Sequence, residues 1–266
     1  MTNEASPTPF FWRYGLRRTG DPDAPLEIEP YPEICAGGVL LPAVIAAAVD
    51  IVGSLYTREI AGGDATFTTD LSIRAPARFV PERILARGKL LRAGRRMITS
   101  SVVLEAAGQP FAYGESSFMR MPRLGDARPV SELGMPAVIP SVPLERALAD
   151  EVGIEVVDAS AGRVEVALRP ALRNPEGSMQ GALVALLAQV AAETLARNAD
   201  GKAQIVTELD LRYLAAAKLG PMEATADWVE SPAAGMVRVA LRDRGNQDRV
   251  TAAVLARTAP ALTENP

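Results

Sequence analysis

The 266-residue sequence contains no histidine, and this absence excludes several classes of function. The Ser-His-Asp and Cys-His catalytic sets both need an imidazole, so one chain cannot form either of them. Zinc sites with histidine ligands are excluded for the same reason. Any acid–base chemistry in this chain therefore has to use other side chains.

Cysteine occurs once, at Cys35, so an intrachain disulfide and a thiolate metal cluster are both excluded. The acidic residues do not cluster with metal-ligand spacing, and neither a phosphate-binding Gly-Lys-Ser/Thr motif nor a Gly-rich dinucleotide fingerprint is present. We therefore expect no metal and no cofactor. A single cysteine is typical of a reducing, cytoplasmic setting.

The sequence also lacks an excess of positive charge and a long apolar run. The 28 lysines and arginines are outnumbered by 32 aspartates and glutamates, which gives no basic field for nucleic acid. The longest apolar run, residues 39–49, contains Pro42 and is far shorter than the roughly 20 residues of a membrane helix. The N-terminal residues show no signal-peptide pattern. We expect neither nucleic acid nor a membrane as a partner.

One order of predicted elements occurs twice in the chain. In each half, an alanine-rich helical run is followed by four segments that are rich in β-branched and aromatic residues, with glycine at the turns. The first helical run extends from Gly38 to about Tyr56, and the second follows Gly181. In the first half we expect the four strands to form an antiparallel meander. A further hairpin is predicted between Gly153 and Pro170.

Two offsets relate the halves. Gly38 matches Gly181 at an offset of 143 residues, and Thr69–Leu71 matches Thr207–Leu209 at an offset of 138. The difference of five residues falls in the loop between helix and strand, where insertions are tolerated best. A duplicated architecture is therefore predicted.

The boundary between the halves is predicted within residues 122–143, which contain five prolines and several polar residues. A chain of this length can form two domains of about 130 residues each. We place them at residues 1–135 and 136–266.

Residues 143–197 carry the motif EVGIEV, a hairpin, then Asn174, Gly177 and Gln180-Gly181 before a long aliphatic helix. With TELDLRYLAAAKLGPMEATADWV downstream, this half resembles the hotdog-fold thioesterases of the phenylacetate-pathway type. The first half shares the element order, AGGV and TTDLSIRAPAR. The resemblance implies an α+β chain of two tandem hotdog domains, each an antiparallel sheet wrapped around a long helix. Such domains pair, so an internal pseudo-dimer and a homo-oligomer of chains are expected.

The resemblance implies hydrolysis of an acyl thioester, such as acyl-CoA, in a groove between the halves. The family often has His-Gly-Gly where this chain has Gln180, Gly181 and Ala182. The family's catalytic carboxylate falls at Gln189, and its first-half equivalent falls at Ala46 under the offset of 143 or at Ile45 under a one-residue shift. None of these residues has a titratable acid, so the inherited base is expected to be absent from both halves.

Glu193 lies one turn past Gln189 on the same side of the helix, and the offset of 143 pairs it with Asp50. We expect Glu193 to act as the base on a water held by Gln189. Asp50 is a second candidate acid or a solvated charge. The amide of Gly181 is the predicted oxyanion donor, because a helix N-terminus has free N–H groups and glycine has no Cβ. Gln180 is expected to add its side-chain NH₂.

The residues around the helix start are predicted to contact substrate: Asn174, Gly177, Ser178 and Ala182. Asn174 and Ser178 are also expected to cap the helix or to bond across to the other half. Loss of both inherited acids favours an alternative function, a non-catalytic protein that binds an acyl thioester or a lipid-like ligand. A hydratase is disfavoured because it usually needs an Asp/His pair. A purely structural subunit has no positive support.

Overall fold

The computed structural model describes residues 10–21, 24, 26–61, 64–76, 79–121, 143–174 and 176–262. Apart from residue 143, the predicted linker lies outside the described residues, and so does the boundary predicted at residue 135. In the described part of the chain, no helix is long and apolar enough to cross a membrane.

Two long helices and one large antiparallel sheet form the described structure. The helices are α1 (Pro42–Ala61), α2 (Leu148–Val152) and α3 (Gly181–Asp200). The strands of the first half are β1 (Leu16–Arg18), β2 (Leu26–Ile28), β3 (Cys35–Ala36), β4 (Val39–Leu40), β5 (Ala65–Arg74), β6 (Ile84–Ala93), β7 (Met97–Ala106) and β8 (Gln109–Met121). Those of the second half are β9 (Glu155–Asp158), β10 (Arg163–Val166), β11 (Gln204–Tyr213), β12 (Met222–Trp228), β13 (Met236–Asp243) and β14 (Arg249–Pro260).

Twelve of the described strands form one sheet in the order β1-β2-β6-β7-β8-β5-β11-β14-β13-β12-β10-β9. β5 and β11 lie side by side at the centre of this order. Counted outwards from them, β5-β8-β7-β6-β2-β1 corresponds strand by strand to β11-β14-β13-β12-β10-β9. The predicted strand segments and the β9–β10 hairpin are confirmed. The predicted four-strand meander is wrong in one respect: in the described residues β5 pairs with β8 and β11 and not with β6.

The pairing of β5 with β11 joins the halves at the centre of the sheet. In this antiparallel pair, Ser72 lies opposite Asp210, and Leu71 lies opposite Leu211. Ser72 and Asp210 are 138 residues apart (210 minus 72), which is the offset predicted for the strands. Corresponding residues of the two halves therefore lie opposite each other at the centre of the sheet.

The two long helices pack on one face of this sheet. α1 contacts β5 to β8, α3 contacts β10 to β14, and the helices contact each other. Alanine and branched aliphatic residues make both helices apolar on most sides, as expected for helices enclosed by a sheet. The helix–helix contact brings the start of each helix close to the middle of the other.

The start of α1 differs from the prediction. Gly37 and Gly38 have positive φ angles of 57° and 77° and form the two-residue turn of a β3–β4 hairpin, in which Cys35 pairs with Leu40. Two glycines fit such a turn because they adopt positive φ without a Cβ clash. The helix begins at Pro42 instead, and proline is favoured at the first helical position because its ring already fixes φ.

Candidate active site

The observed helix boundaries change the correspondence between the two halves. α1 and α3 have 20 residues each, and they begin at Pro42 and Gly181, an offset of 139 (181 minus 42). At this offset, Asp50 corresponds to Gln189. The position that the resemblance assigns to a carboxylate therefore holds an acid in the first half. The prediction that this position is Ala46 was wrong, because the offset of 143 was anchored in the β3–β4 turn.

Asp50 lies beside the start of α3. A Cβ built on Gly181 would lie 3.8 Å from Oδ2 of Asp50 and 3.3 Å from the hydroxyl oxygen of Tyr213. The hydroxyl of Thr68 donates a hydrogen bond to Oδ1 of Asp50 at 2.8 Å. The hydroxyl of Tyr213 donates to the carbonyl oxygen of Gly181 at 3.1 Å. Side chains from α1, β5 and β11 thus meet at the N-terminus of α3.

The Asp50 carboxyl is a base with affinity for a proton near neutral pH. Burial raises its pKa from 3.8 to about 6, and the hydrogen bond from Thr68 opposes part of this rise. Desolvation has this effect because a low-dielectric environment disfavours the charged form. Its Oδ2 accepts no hydrogen bond from the described residues, so this oxygen can accept one from a water molecule.

The N-terminus of α3 has free donors. Gln180 precedes the helix and makes no side-chain hydrogen bond to its first turn. Within the described ranges, the N–H groups of Gly181 and Ala182 have no hydrogen-bond partner. Such free amides and the partial positive charge of the helix end favour an anion or a developing oxyanion.

The predicted role of the Gln180 side chain as an oxyanion donor conflicts with its contacts. Its Nε2 donates to the carbonyl oxygen of Arg173 at 3.2 Å and to that of Ala171 at 3.5 Å. The residue is buried, and its Oε1 has no partner in the described part of the chain. The amide group therefore holds the preceding loop in place.

Asn174 and Ser178 do not cap α3, which corrects the capping prediction. Oδ1 of Asn174 accepts hydrogen bonds from the backbone N–H and the hydroxyl of Ser178, at 2.9 and 3.1 Å. Gly177 closes this turn with a φ of 77°, a conformation that glycine adopts at no steric cost. The three residues shape the loop that leads to α3 and leave its first amides free.

Gln189 of α3 lies beside the start of α1, and Glu193 lies next to Gln189. The N–H of Ala43 donates to Oε1 of Gln189 at 3.2 Å, and Nε2 of Gln189 donates to Oε1 of Glu193 at 3.0 Å. The same Glu193 oxygen accepts the N–H of Val206 at 3.0 Å. Pro42 has no N–H to offer. At this end of α1, the protein's own amide side chain occupies the position at which a ligand oxygen would bind.

The length of α3 rules out the predicted site in which Glu193 is the base and the amide of Gly181 is the oxyanion donor. Both residues belong to α3 and are 12 positions apart (193 minus 181), which is about 18 Å along a helix axis. They cannot act on one carbonyl group. Gln189, predicted to hold a water, uses both of its polar atoms on protein groups. Burial raises the pKa of Glu193 from 4.5 to about 7, against the opposing hydrogen bonds from Val206 and Gln189.

The sequence did not predict two residues of the site, Thr68 and Tyr213. Thr68 lies in a threonine-rich strand, where nothing in the pattern selects one hydroxyl, and Tyr213 ends β11 close to an alanine run. The helix offset was the available signal, because Pro42 marks the first turn of α1 better than Gly38 does.

Comparison with solved structures identifies the fold. The TesB protein of Mycobacterium avium subsp. paratuberculosis is 16% identical, has a TM-score of 0.63 and is matched over 93% of this chain and 96% of its own. The acyl-CoA thioesterase II TesB2 of Mycobacterium marinum is 12% identical, with a TM-score of 0.58 over 96% and 98%. A conserved protein of unknown function with a hot dog fold from Alicyclobacillus acidocaldarius is 11% identical, with a TM-score of 0.60 over 96% and 98%.

These likenesses extend over nearly the whole length of each chain and establish a hotdog fold that known thioesterases share. At identities of 11–16% they carry no residue roles. No family model matches the sequence, and no curated protein matches it. The assignment of function therefore depends on the geometry around Asp50 and Gly181.

Proposed function

We propose that this chain hydrolyses acyl thioesters, with Asp50 as the general base and the first amides of α3 as the binding site for the carbonyl oxygen. The observation that carries the proposal is the position of Asp50, whose Oδ2 would lie 3.8 Å from a Cβ on Gly181. Base and oxyanion donors are then close enough to act on one carbonyl. The thioesterases among the structural neighbours support this reaction class.

In the proposed reaction, Oδ2 of Asp50 accepts a proton from a water molecule as that water attacks the thioester carbon. The new C–O bond leaves negative charge on the former carbonyl oxygen, which the N–H groups of Gly181 and Ala182 stabilise. The C–S bond then breaks, and protonated Asp50 returns its proton to the departing sulfur. The hydrogen bond from Thr68 fixes the carboxyl group in its orientation throughout.

The fold supports a finer proposal, that the chain is two duplicated hotdog units that form an internal pseudo-dimer. The strand order repeats around the β5–β11 pair, and the two central helices have equal length. In such a pseudo-dimer each helix start faces a position two turns into the other helix. We place the boundary between the units at residue 135.

Only one of the two equivalent positions is then proposed to be catalytic. At the start of α3, the amides are free and the facing residue is Asp50. At the start of α1, Pro42 has no N–H, and the N–H of Ala43 already donates a hydrogen bond to Oε1 of Gln189. An amide side chain cannot take a proton from water, so Gln189 cannot replace the base. The Gln189–Glu193 pair is proposed to link α1, α3 and β11.

The proposed substrate is an acyl-CoA or a similar thioester. The name of the Mycobacterium marinum neighbour supports coenzyme A as the carrier. The proposed roles of Asn174, Gly177 and Ser178 are indirect, since they shape the loop that positions the donors. We also propose that the protein works in the cytoplasm, because it has a single cysteine.

A thiol-release screen over short, long and aromatic acyl-CoAs tests the function. We expect thiol release by the wild type and a loss of about a hundredfold or more in Asp50→Asn, the scale of a positioned base. Asp227→Asn, which removes an exposed carboxylate of β12, is the matched control and is expected to match the wild type. Calorimetry of the same compounds separates the alternatives, because binding without cleavage by the wild type would identify a ligand-binding protein.

A further inference from the structure

Tyr213 makes a contact that the hydrolytic mechanism above does not use. Its hydroxyl donates to the carbonyl oxygen of Gly181 at 3.1 Å. At the strand offset of 138 the corresponding first-half residue is Ala75 (213 minus 138). The tyrosine is therefore present only on the side of the pseudo-dimer where Asp50 faces free helix amides.

We propose that Tyr213 is a positioning residue that holds the Gly181–Ala182 peptide so that its N–H points at the carbonyl oxygen of the substrate. This proposal rests on the proposed thioesterase function. The C=O of Gly181 and the N–H of Ala182 belong to one planar peptide group. A hydrogen bond that fixes the direction of the C=O therefore also fixes the direction of the N–H.

The hydrogen bonds of α3 already hold the C=O of Gly181 on its helix side, and two features leave room for a further restraint. Gln180 makes no side-chain cap on α3, and no side chain of the described residues bonds its first amides. Glycine at the first position also gives the backbone more freedom than any other residue would. A conventional cap would satisfy the N–H groups and remove them from catalysis. Tyr213 restrains the same peptide through its carbonyl oxygen and leaves the N–H free.

The contact also strengthens the donor. A hydrogen bond accepted by a peptide carbonyl polarises the peptide, and its N–H becomes a better donor. Burial raises the pKa of Tyr213 well above its ordinary value, and the nearby negative charge of Asp50 adds to this rise. The hydroxyl consequently keeps its proton over the whole working pH range and donates to Gly181 throughout.

The experiment compares Tyr213→Phe with the wild type in steady-state hydrolysis of an acyl-CoA. We expect kcat to fall about tenfold, less than the 10²–10³ of a lost oxyanion donor, because the N–H remains but is less well directed. We expect KM to change less than about twofold, the pattern of an interaction made in the transition state. Tyr113→Phe is the matched control, because it removes an exposed hydroxyl that bonds Glu115 on the outer sheet surface.

A second measurement separates positioning from a structural role. An acyl-CoA thioether, in which a CH₂ replaces the carbonyl, has no oxygen for the Ala182 N–H. Tyr213→Phe should bind this analogue as tightly as the wild type, whereas a disturbed pocket would weaken its binding. A kcat within twofold of the wild type, or a matching loss of thioether affinity, would overturn the proposal.

The outcomes distinguish this proposal from the function on which it rests. If Asp50→Asn is inactive and Tyr213→Phe is fully active, only the positioning role fails. If Asp50→Asn retains full activity, the assignment of Asp50 as the base fails whatever Tyr213→Phe does, and if the wild type releases no thiol, the proposed function itself fails. Thermal unfolding of each variant verifies that it is folded, and Tyr213→Met provides a second variant without the hydroxyl should the phenylalanine form be unstable.

Discussion

Asp50 and Gly181 are 131 residues apart in the chain (181 minus 50), yet Oδ2 of Asp50 would lie 3.8 Å from a Cβ on Gly181. The contact depends on how the two long helices cross beneath one continuous sheet. Each helix start faces the middle of the other helix, and the side chains at the two meeting points differ. Within the described residues, one meeting point has free amides and a carboxylate whose Oδ2 has no hydrogen-bond donor, and the other is closed by Gln189.

The pH dependence of hydrolysis should follow the ionisation of Asp50. The pKa of this carboxyl is raised to about 6, and only its charged form can accept a proton from water. We expect kcat/KM to rise with pH and to level off above pH 7, with the midpoint of the rise near the pKa of about 6. A profile measured between about pH 4.5 and pH 8.5 checks this, and a rate independent of pH over that range would contradict it.

Thr68→Val should change that profile. The hydroxyl of Thr68 stabilises the charged form of Asp50 and lowers its pKa, while valine keeps the shape without the donor. We expect the midpoint of the rise to move to higher pH and the rate at neutral pH to fall. Thr68→Ser retains a hydroxyl and should restore the wild-type midpoint. An unchanged midpoint in Thr68→Val would show that the hydrogen bond does not tune Asp50.

Gly181→Ala tests the approach to the helix start. The added methyl group would lie 3.3 Å from the hydroxyl oxygen of Tyr213, in the space through which the substrate carbonyl is proposed to reach the amides. We expect kcat/KM to fall about tenfold or more, because misplacement on the ångström scale suffices for losses of that size. Gly20→Ala is the control, since no atom of the described residues other than its chain neighbours lies within 4 Å of a Cβ there. Equal activity of both variants would mean that the carbonyl binds elsewhere.

The stability of the fold should depend on pH through Glu193. Its pKa is raised from 4.5 to about 7 by burial, so the folded state holds a proton that the unfolded state has released. The contribution of this one group to stability is therefore largest below pH 4.5 and is lost as pH rises through this window to about 7. Glu193→Gln removes the ionisation, so its Tm should fall less between about pH 5 and pH 8 than that of the wild type. Equal changes in Tm would contradict the assignment.

The sequence predicted the long strands well because each is a run of β-branched and aromatic residues bounded by glycine or polar turns. The helix start was misplaced because a Gly-Gly pair is compatible with a helix entrance and with a hairpin turn, and the turn occurs at Gly37–Gly38. That shift of four residues (42 minus 38) paired Asp50 with Glu193 instead of Gln189.

The site itself was only partly predictable. Gly181 and Asp50 were both candidates, since a glycine at a helix start and an acid in an aliphatic helix are visible in the sequence. Their meeting was not visible, because it depends on the contact between two helices from different halves. The roles of Thr68 and Tyr213 depend on the same contact, and Asn174 was expected at the helix cap although its side chain bonds Ser178 instead.

The most direct measurement is kcat/KM for one acyl-CoA with Asp50→Asn and Glu193→Gln side by side. Both changes convert a partly buried acid to its amide in a central helix, but of these two acids only Asp50 faces free helix amides. Asp50→Asn should lose about a hundredfold or more, the usual scale for a positioned base, while Glu193→Gln stays within about threefold of the wild type. A large loss in Glu193→Gln with near-normal activity in Asp50→Asn would place the base at the other helix and contradict the account.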